Sequence, residues 1–138
     1  MSPMMVFRRS DHTAESDWGK IMLVLGGSGG PKIITAVLQV FINFCLLGLP
    51  LFESMARPRV HDQLIYHDAS VTATERDELD QGPIVAVPER TKNALVRRGH
   101  DLLDIDYAGC VQAVALDLET NSLSAVCDVR KGGTPAGY

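Results

Sequence analysis

The 138 residues are 46% hydrophobic and 22% charged, which is typical of one folded domain and excludes an intrinsically disordered chain. The 13 basic and 17 acidic side chains give a formal net charge of −4, which argues against a nucleic-acid partner bound through its phosphates. Cys45, Cys110 and Cys127 are too few for a disulfide scaffold and fit no zinc spacing. We therefore expect residues 1–138 to form a single domain that holds neither a metal nor a cofactor.

Two strands and a glycine-rich loop precede a long apolar helix. Residues 4–7 and 21–25 have the composition and length of strands, and the polar residues 8–18 between them are expected to form a surface loop. A run of small residues follows the second strand, namely Gly26, Gly27, Ser28, Gly29 and Gly30. Pro31 then opens the helix, because a proline in the first turn loses no intrahelical hydrogen bond.

The apolar segment 33–51 has two interpretations. It is uncharged and close to the roughly 20 residues that a membrane helix needs, so a membrane span is one of them. Against it, Gly48 and Pro50 end the helix early, and a polar residue recurs every fourth position, at Thr35, Gln39 and Asn43. We favour a helix packed on a sheet and expect Leu38 and Phe41 to be buried there.

The remaining elements are shorter. Residues 50–56 are predicted to form a second helix, 60–66 a strand, and the acidic segment 67–82 a surface loop or a frayed helix. Pro88 begins a helix that runs to Arg97 and Arg98, with Gly99 just beyond its end. Two strands are expected around the turn at 120–122. No repeat or linker divides the chain, which indicates one domain. The mixture of helices and strands predicts the class α/β or α+β.

The glycine loop fits neither common phosphate-binding pattern. A Walker loop needs glycine before Lys32 and a hydroxyl residue after it, but Pro31 and Ile33 stand there. A dinucleotide loop that starts at Gly27 needs glycine at position 32. Two backbone amides beside a helix start remain, those of Gly29 and Gly30, which could stabilise the oxyanion of an acyl-transfer intermediate. A tight, closely packed turn is the alternative.

No nucleophile for such a loop is evident from the sequence. His61 and His67 are each followed by aspartate, but their six-residue spacing matches no metal motif, so surface or structural roles are expected. His100 follows a predicted helix end. Ser28 lacks the frame of a nucleophile elbow, and Cys45 is interpreted as a small core residue.

Several separated motifs resemble the γ-glutamyltransferases, also called γ-glutamyl transpeptidases or glutathione hydrolases. They are residues 25–35 (LGGSGGPKIIT) with 38–40, residues 57–61 (RPRVH) with Gln63, residues 98–100 (RGH), Gly109 with 111–113 (VQA), and residues 124–126 with 128–138 (DVRKGGTPAGY). The resemblance covers nearly the whole chain. It implies an N-terminal-nucleophile hydrolase fold, a four-layer αββα sandwich, of which this chain is the C-terminal portion.

The resemblance also implies an activity. Family members cut themselves into a large and a small subunit, and the new N-terminal threonine of the small subunit is the nucleophile, with its own amine as base. A γ-glutamyl group passes from glutathione to this threonine, then to water, an amino acid or a dipeptide. The oxyanion hole maps onto Gly29 and Gly30, and Gly30 also contacts substrate. Family members act mostly at the outer face of the plasma membrane, in the periplasm or in a vacuole.

The sequence departs from the family pattern in ways that affect this expectation. The threonine, a serine pair that usually precedes Met1-Ser2-Pro3, and the large subunit with its substrate-binding arginine are not in the chain. Arg57 replaces the usual alanine, and Val129 an often-found proline. We therefore expect a fragment of the small subunit that is inactive alone. A non-catalytic interaction module derived from the family is the alternative. The sequence does not decide whether Cys110 and Cys127 form a disulfide bond.

Overall fold

The computed structural model describes residues 2–9, 19–79, 82 and 84–137. In chain order its elements are strands β1 (Ser2–Arg8) and β2 (Lys20–Ser28), helix α1 (Lys32–Phe41) with a π-helical extension (Ile42–Leu46), helix α2 (Leu51–Ala56), strands β3 (Val60–His61), β4 (Thr72–Glu78) and β5 (Ile84–Ala86), helix α3 (Glu89–Val96), and strands β6 (Leu102–Ile105), β7 (Cys110–Leu116) and β8 (Leu123–Val126). The strands predicted at 4–7, 21–25 and on both sides of 120–122 are confirmed, as are the helices after Pro31, Pro50 and Pro88.

The first sheet is antiparallel and has the strand order β1-β2-β7-β8. Alternate residues of its central strands are buried, as a strand with one covered face requires. Leu23 and Leu25 in β2 point to the same face as Val111 and Ala113 in β7, and helices α1 and α2 cover that face. The core of the described residues lies there, formed by Leu23, Leu25, Ala36, Val37, Val40, Leu51, Met55, Val111, Ala113 and Ala115.

Helix α1 packs on this sheet, but not with the predicted side. Its buried residues are Ala36, Val37 and Val40, whereas Leu38 is 46% exposed and Phe41 is only partly buried. The prediction that Leu38 and Phe41 are buried is therefore wrong. Leu38 lies off the stripe that positions 36, 37 and 40 form at helical spacing, and a helix with apolar residues on several faces does not reveal which one is covered.

The polar residues of α1 and of its π-helical extension contact a neighbouring segment of the chain. Gln39 Nε2 donates to the Val60 carbonyl at 2.8 Å, and its Oε1 accepts from the Val60 N–H at 3.0 Å. Asn43 Nδ2 donates to the Ser54 carbonyl at 3.3 Å. These bonds hold the stretch from α2 to β3 along the helix. In the described part of the chain, no helix combines the length and apolarity needed to cross a bilayer.

The second sheet contradicts the expected loop at 67–82. Strand β4 occupies Thr72–Glu78, pairs with β3 and β5 in antiparallel orientation and with β6 in parallel, and buries its first four residues. The prediction is wrong there because the buried side chains are mostly polar and satisfied by partners. For example, the Thr74 hydroxyl donates to Asp104 at 2.6 Å. Strands β5 and β6 were not predicted at all.

Two other expected boundaries change. The strand predicted over 60–66 is limited to Val60–His61, and Tyr66 instead forms an isolated bridge with Ala69. The loop expected at 8–18 begins later, because Arg8 still belongs to β1, and its residues 10–18 lie outside the described ones.

The same change, leucine to alanine, should lower stability by unequal amounts in strand β2 and on the exposed side of helix α1. Leu25→Ala, at a residue only 2% exposed, should lower the free energy of unfolding by about 2–5 kcal/mol because it leaves a cavity. Leu38→Ala should cost less than about 1 kcal/mol. Urea unfolding of the two variants beside the parent chain measures both values. Equal losses would contradict the packing described for α1.

Candidate functional site

The glycine loop joins the end of β2 to the start of α1. Ser28 pairs with Cys110 at the end of the ladder, and the Ile33 N–H donates to the Gly30 carbonyl at 3.2 Å as the helix begins. Between these points the backbone has positive φ twice, +133° at Gly29 and +62° at Gly30. L-residues with a side chain rarely adopt such angles, so both positions favour glycine.

The two glycines have different surroundings. A Cβ added at Gly29 would lie 2.8 Å from the Cα of Gly109 and 3.3 Å from a ring carbon of Tyr107, so any side chain would collide. A Cβ at Gly30 would meet nothing within 4 Å, and Gly30 is exposed. The closely packed turn, the alternative interpretation of the loop, therefore describes Gly29, whereas Gly30 faces open space.

The backbone amides of Gly29 and Gly30 are unpaired in the described part of the chain. Neither Gly29 nor Gly30 donates its N–H to another of the described residues. The ten-residue helix α1 begins two residues after Gly30 and has no acidic side chain in its first turn, so its positive end is not neutralised there. Two free donors beside a helix start are an arrangement that stabilises a negatively charged oxygen.

A buried ion network lies behind the loop. Two arginines and two carboxylates, all with side chains at most 2% exposed, form it: Arg59, Glu75, Asp128 and Arg130. Asp128 accepts from Arg59 at 2.7 Å and from Arg130 at 2.9 Å. Arg130 also donates to both oxygens of Glu75 at 2.5 Å. With two positive and two negative groups, the network is neutral overall, as deep burial demands.

The charges in the network shift the pKa values of Arg59, Asp128 and Arg130. Burial alone would raise the pKa of Asp128, but the guanidinium groups of Arg59 and Arg130 outweigh it and hold that pKa below its ordinary value. Burial lowers the pKa of Arg59, and the positive charge of Arg130 lowers it further. For Arg130, the hydrogen bonds and charge of Glu75 overcome the effect of burial and raise the pKa.

The network holds the segment that packs against Gly29. Arg59 Nη1 donates to the Gly109 carbonyl at 2.6 Å, and Asp128 Oδ2 accepts from the Val111 N–H at 2.7 Å. Sequence reasoning missed this role, although Arg59, Asp128 and Arg130 lie inside motifs that carry the family resemblance. The missed signal was Glu75, the first of three acids in strand β4, which directly follows the small residues Thr72, Ala73 and Thr74.

His61 is a buried hydrogen-bonding residue, 3% exposed. Gln63 Nε2 donates to the Ile65 carbonyl, so its Oε1 faces His61 Nε2 at 2.9 Å and accepts from it. His61 Nδ1 lies 2.8 Å from the Thr35 hydroxyl, which also donates to the Lys32 carbonyl at 3.1 Å. This hydroxyl–imidazole pair was not predicted, because 26 positions separate its members.

The other candidate residues lie apart from one another. His67 is exposed and its ring packs edge-on against Tyr66, whereas His100 Nδ1 lies 2.7 Å from the Thr72 hydroxyl. Among the described residues, no three His, Cys, Asp or Glu side chains are grouped to hold a metal ion. All three cysteines are free, so a Cys110–Cys127 bridge is not formed, and burial raises the pKa of the Cys45 thiol.

The whole chain, residues 1–138, matches the family model for gamma-glutamyltranspeptidase. The chain belongs to the gamma-glutamyltranspeptidase family. It is 31% identical over 140 residues to glutathione hydrolase 3 of Arabidopsis thaliana, a match that covers 86% of this chain and 22% of that protein. It is 35% identical over 124 residues to glutathione hydrolase proenzyme 1 of Schizosaccharomyces pombe, with coverage of 87% and 17%. This member of the family thus spans about a fifth of the length of these two curated relatives.

The fold matches solved structures of the same family. The gamma-glutamyltranspeptidase from Pseudomonas nitroreducens complexed with L-DON superposes with a TM-score of 0.74 at 29% identity, over 100% of this chain and 62% of that one. The predicted class, a mixed α/β portion of the family's N-terminal-nucleophile hydrolase sandwich, is confirmed.

Proposed function

We propose that this chain supplies the oxyanion loop of an enzyme that cleaves γ-glutamyl amides. The observation that carries the proposal is the pair of unpaired N–H groups of Gly29 and Gly30 at the start of α1. When a nucleophile attacks the γ-glutamyl carbonyl, its oxygen gains negative charge, and two fixed donors stabilise that charge more than the neutral carbonyl. Gly30, with open space above it, is the glycine that contacts substrate.

The rest of the proposed reaction comes from outside these 138 residues. By resemblance, an N-terminal threonine attacks, its amine takes the proton, and the γ-glutamyl ester formed on it is released to water, an amino acid or a dipeptide. Glutathione is the proposed donor, since the relatives are glutathione hydrolases. The large subunit of the heterodimer is the proposed partner, and acyl transfer by these groups needs no cofactor.

The hydroxyl–imidazole pairs do not replace that threonine in the proposal. The sequence showed no nucleophile for the loop, and the Thr35–His61 pair, whose members are 26 positions apart, is found only in the structure. His61 is nevertheless buried, and Thr35 belongs to the row of polar side chains that ties α1 to the following segment. We therefore assign the pair a structural role and propose that the chain alone is inactive.

One observation favours the alternative, an interaction module without catalysis. The face of the first sheet opposite the helices carries an apolar row across all four strands, formed by Met5, Val24, Val114 and Ala125. Met5 is 59% exposed and Val114 is 41% exposed, so a further protein surface can cover them. The enzyme proposal uses the same face as the contact to the remainder of the sandwich. Activity must therefore decide between the two.

The test uses the chain alone and in a chimera. In the chimera, these 138 residues replace the matching segment of the Pseudomonas nitroreducens enzyme, and a chromogenic γ-glutamyl amide is the substrate. We expect no turnover above the blank for the chain alone and clear turnover for the chimera. A folded but inactive chimera would favour the interaction module. Turnover by the chain alone that Thr35→Val abolishes would overturn the structural assignment of that hydroxyl.

A further inference from the structure

Tyr107 is hydrogen-bonded to residues on both sides of the glycine loop. Lys32 Nζ donates to the Tyr107 carbonyl at 2.8 Å, and the Tyr107 hydroxyl donates to the Ser28 carbonyl at 3.3 Å. Ser28 is the last residue of β2 and Lys32 is the first residue of α1, so the loop between them consists of residues 29–31. The tyrosine ring covers the middle, where a Cβ at Gly29 would lie 3.3 Å from its Cε1. Tyr107 therefore contacts residues on both sides of the loop and packs against its centre.

The loop needs such a restraint from outside. Gly29 and Gly30 have no side chains to limit their backbone, and their positive φ angles belong to a region that glycine enters and leaves readily. An oxyanion hole works only when its donors are held in place before charge develops. Since neither glycine amide is bonded within the described chain, their direction depends on the groups that fix residues 28 and 32.

The Lys32 end is the stronger of the two attachments. Its ammonium is partly buried, and a hydrogen bond from a charged donor is stronger than one between neutral groups. The ammonium also lies 5.6 Å from the Tyr107 ring centroid and 5.9 Å from that of Tyr66, within the range of cation–π attraction. Tyr66 shares this cation, and its described hydrogen bonds and ring contacts are with residues outside the loop, namely Ala69, His61, His67 and Lys32.

We propose that Tyr107 is a positioning residue for the oxyanion loop and that Lys32 anchors it. The inference rests on the proposed function, because it concerns the same amides. Tyr107 acts through Ser28 and Gly29 and does not touch the reacting atoms. Loss of Tyr107 should therefore weaken stabilisation of the transition state but not substrate binding, so kcat should fall while KM stays unchanged.

The experiment is steady-state kinetics of the active chimera with four variants. Tyr107→Phe keeps the ring and removes one neutral hydrogen bond, so kcat should fall about three- to tenfold, with KM within about twofold. Lys32→Met removes the charged donor and should lower kcat about 10- to 100-fold. Lys32→Arg restores a charged donor and should recover most of the rate. Tyr66→Phe, the matched control, should stay within about twofold of the parent.

The outcomes separate this inference from the proposed function. If Gly30→Pro impairs the chimera far more than Gly30→Ala, while Tyr107→Phe and Lys32→Met leave kcat unchanged, the positioning role is wrong and the oxyanion role stands. If Gly30→Pro has no effect, the proposed function itself fails. Thermal unfolding of each variant accompanies the kinetics. A kcat loss that follows the loss of stability, with KM rising in parallel and no recovery in Lys32→Arg, would show a merely structural tyrosine and overturn the inference.

Discussion

Replacing Gly30 with proline should lower kcat of the chimera about 10²- to 10³-fold, the usual effect of losing one oxyanion donor. Proline has no N–H, so the unpaired donor of Gly30 is removed outright. A Cβ at this position meets nothing within 4 Å, but proline cannot keep the φ of +62° at Gly30, so the variant also changes the backbone of the loop. KM should change little, because the lost bond strengthens only as charge develops on the carbonyl oxygen. Steady-state kinetics with a chromogenic γ-glutamyl amide measures both parameters.

Two further variants separate the donor from the backbone conformation. Gly30→Ala keeps the N–H but places a side chain at φ +62°, which costs about 1–2 kcal/mol of strain. It should therefore reduce stability while retaining much more activity than Gly30→Pro. Gly132→Pro, at an exposed glycine with no neighbour within 4 Å, controls for proline elsewhere. Equal activity of Gly30→Pro and Gly132→Pro would leave only the structural interpretation of the loop.

Replacing Arg59 with methionine should lower the free energy of unfolding by about 3–5 kcal/mol, because it breaks a buried ion network from one side. The change leaves Asp128 with Arg130 as its one remaining guanidinium partner and removes the donor to the Gly109 carbonyl. Both are buried, so neither lost bond is replaced by water. Urea unfolding of the chain, or of the chimera, measures the loss.

An ion pair that solvent reaches on its Asp104 side provides the control, although the Lys92 side chain is only 13% exposed. Lys92 lies 2.6 Å from Asp104, whose side chain is 41% exposed, and such pairs contribute about 0–1 kcal/mol. Lys92→Met should therefore cost much less than Arg59→Met. The double variant Arg59→Met/Asp128→Asn should cost less than the sum of its two single changes, since it leaves no unpaired buried charge. Similar losses for Arg59→Met and Lys92→Met would mean that the network does not stabilise the fold.

The sequence by itself determined the strands of the first sheet, the three helices and the glycine loop. Pro31 and Pro88 begin helices and Gly48 and Gly99 follow helix ends, because these residues restrict or free the backbone at their own positions. The order strand, glycine loop, helix is local in the same way, and it gave the loop two interpretations, an oxyanion role for Gly29 and Gly30 or a tight turn. The separated motifs were sufficient to identify the family.

Only the tertiary structure decided which groups meet. Helix α1 buries Val40 and exposes Leu38, and strand β4 buries polar residues whose partners lie elsewhere in the chain. Arg59 reaches Asp128 across 69 positions, and the Tyr107 hydroxyl reaches Ser28 across 79. A residue's own backbone preference is set by its side chain and nearest neighbours, whereas a buried charge or a glycine loop is stabilised by partners that folding brings from distant strands. That is why the loop was readable from the sequence, but the network and the tyrosine that hold it were not.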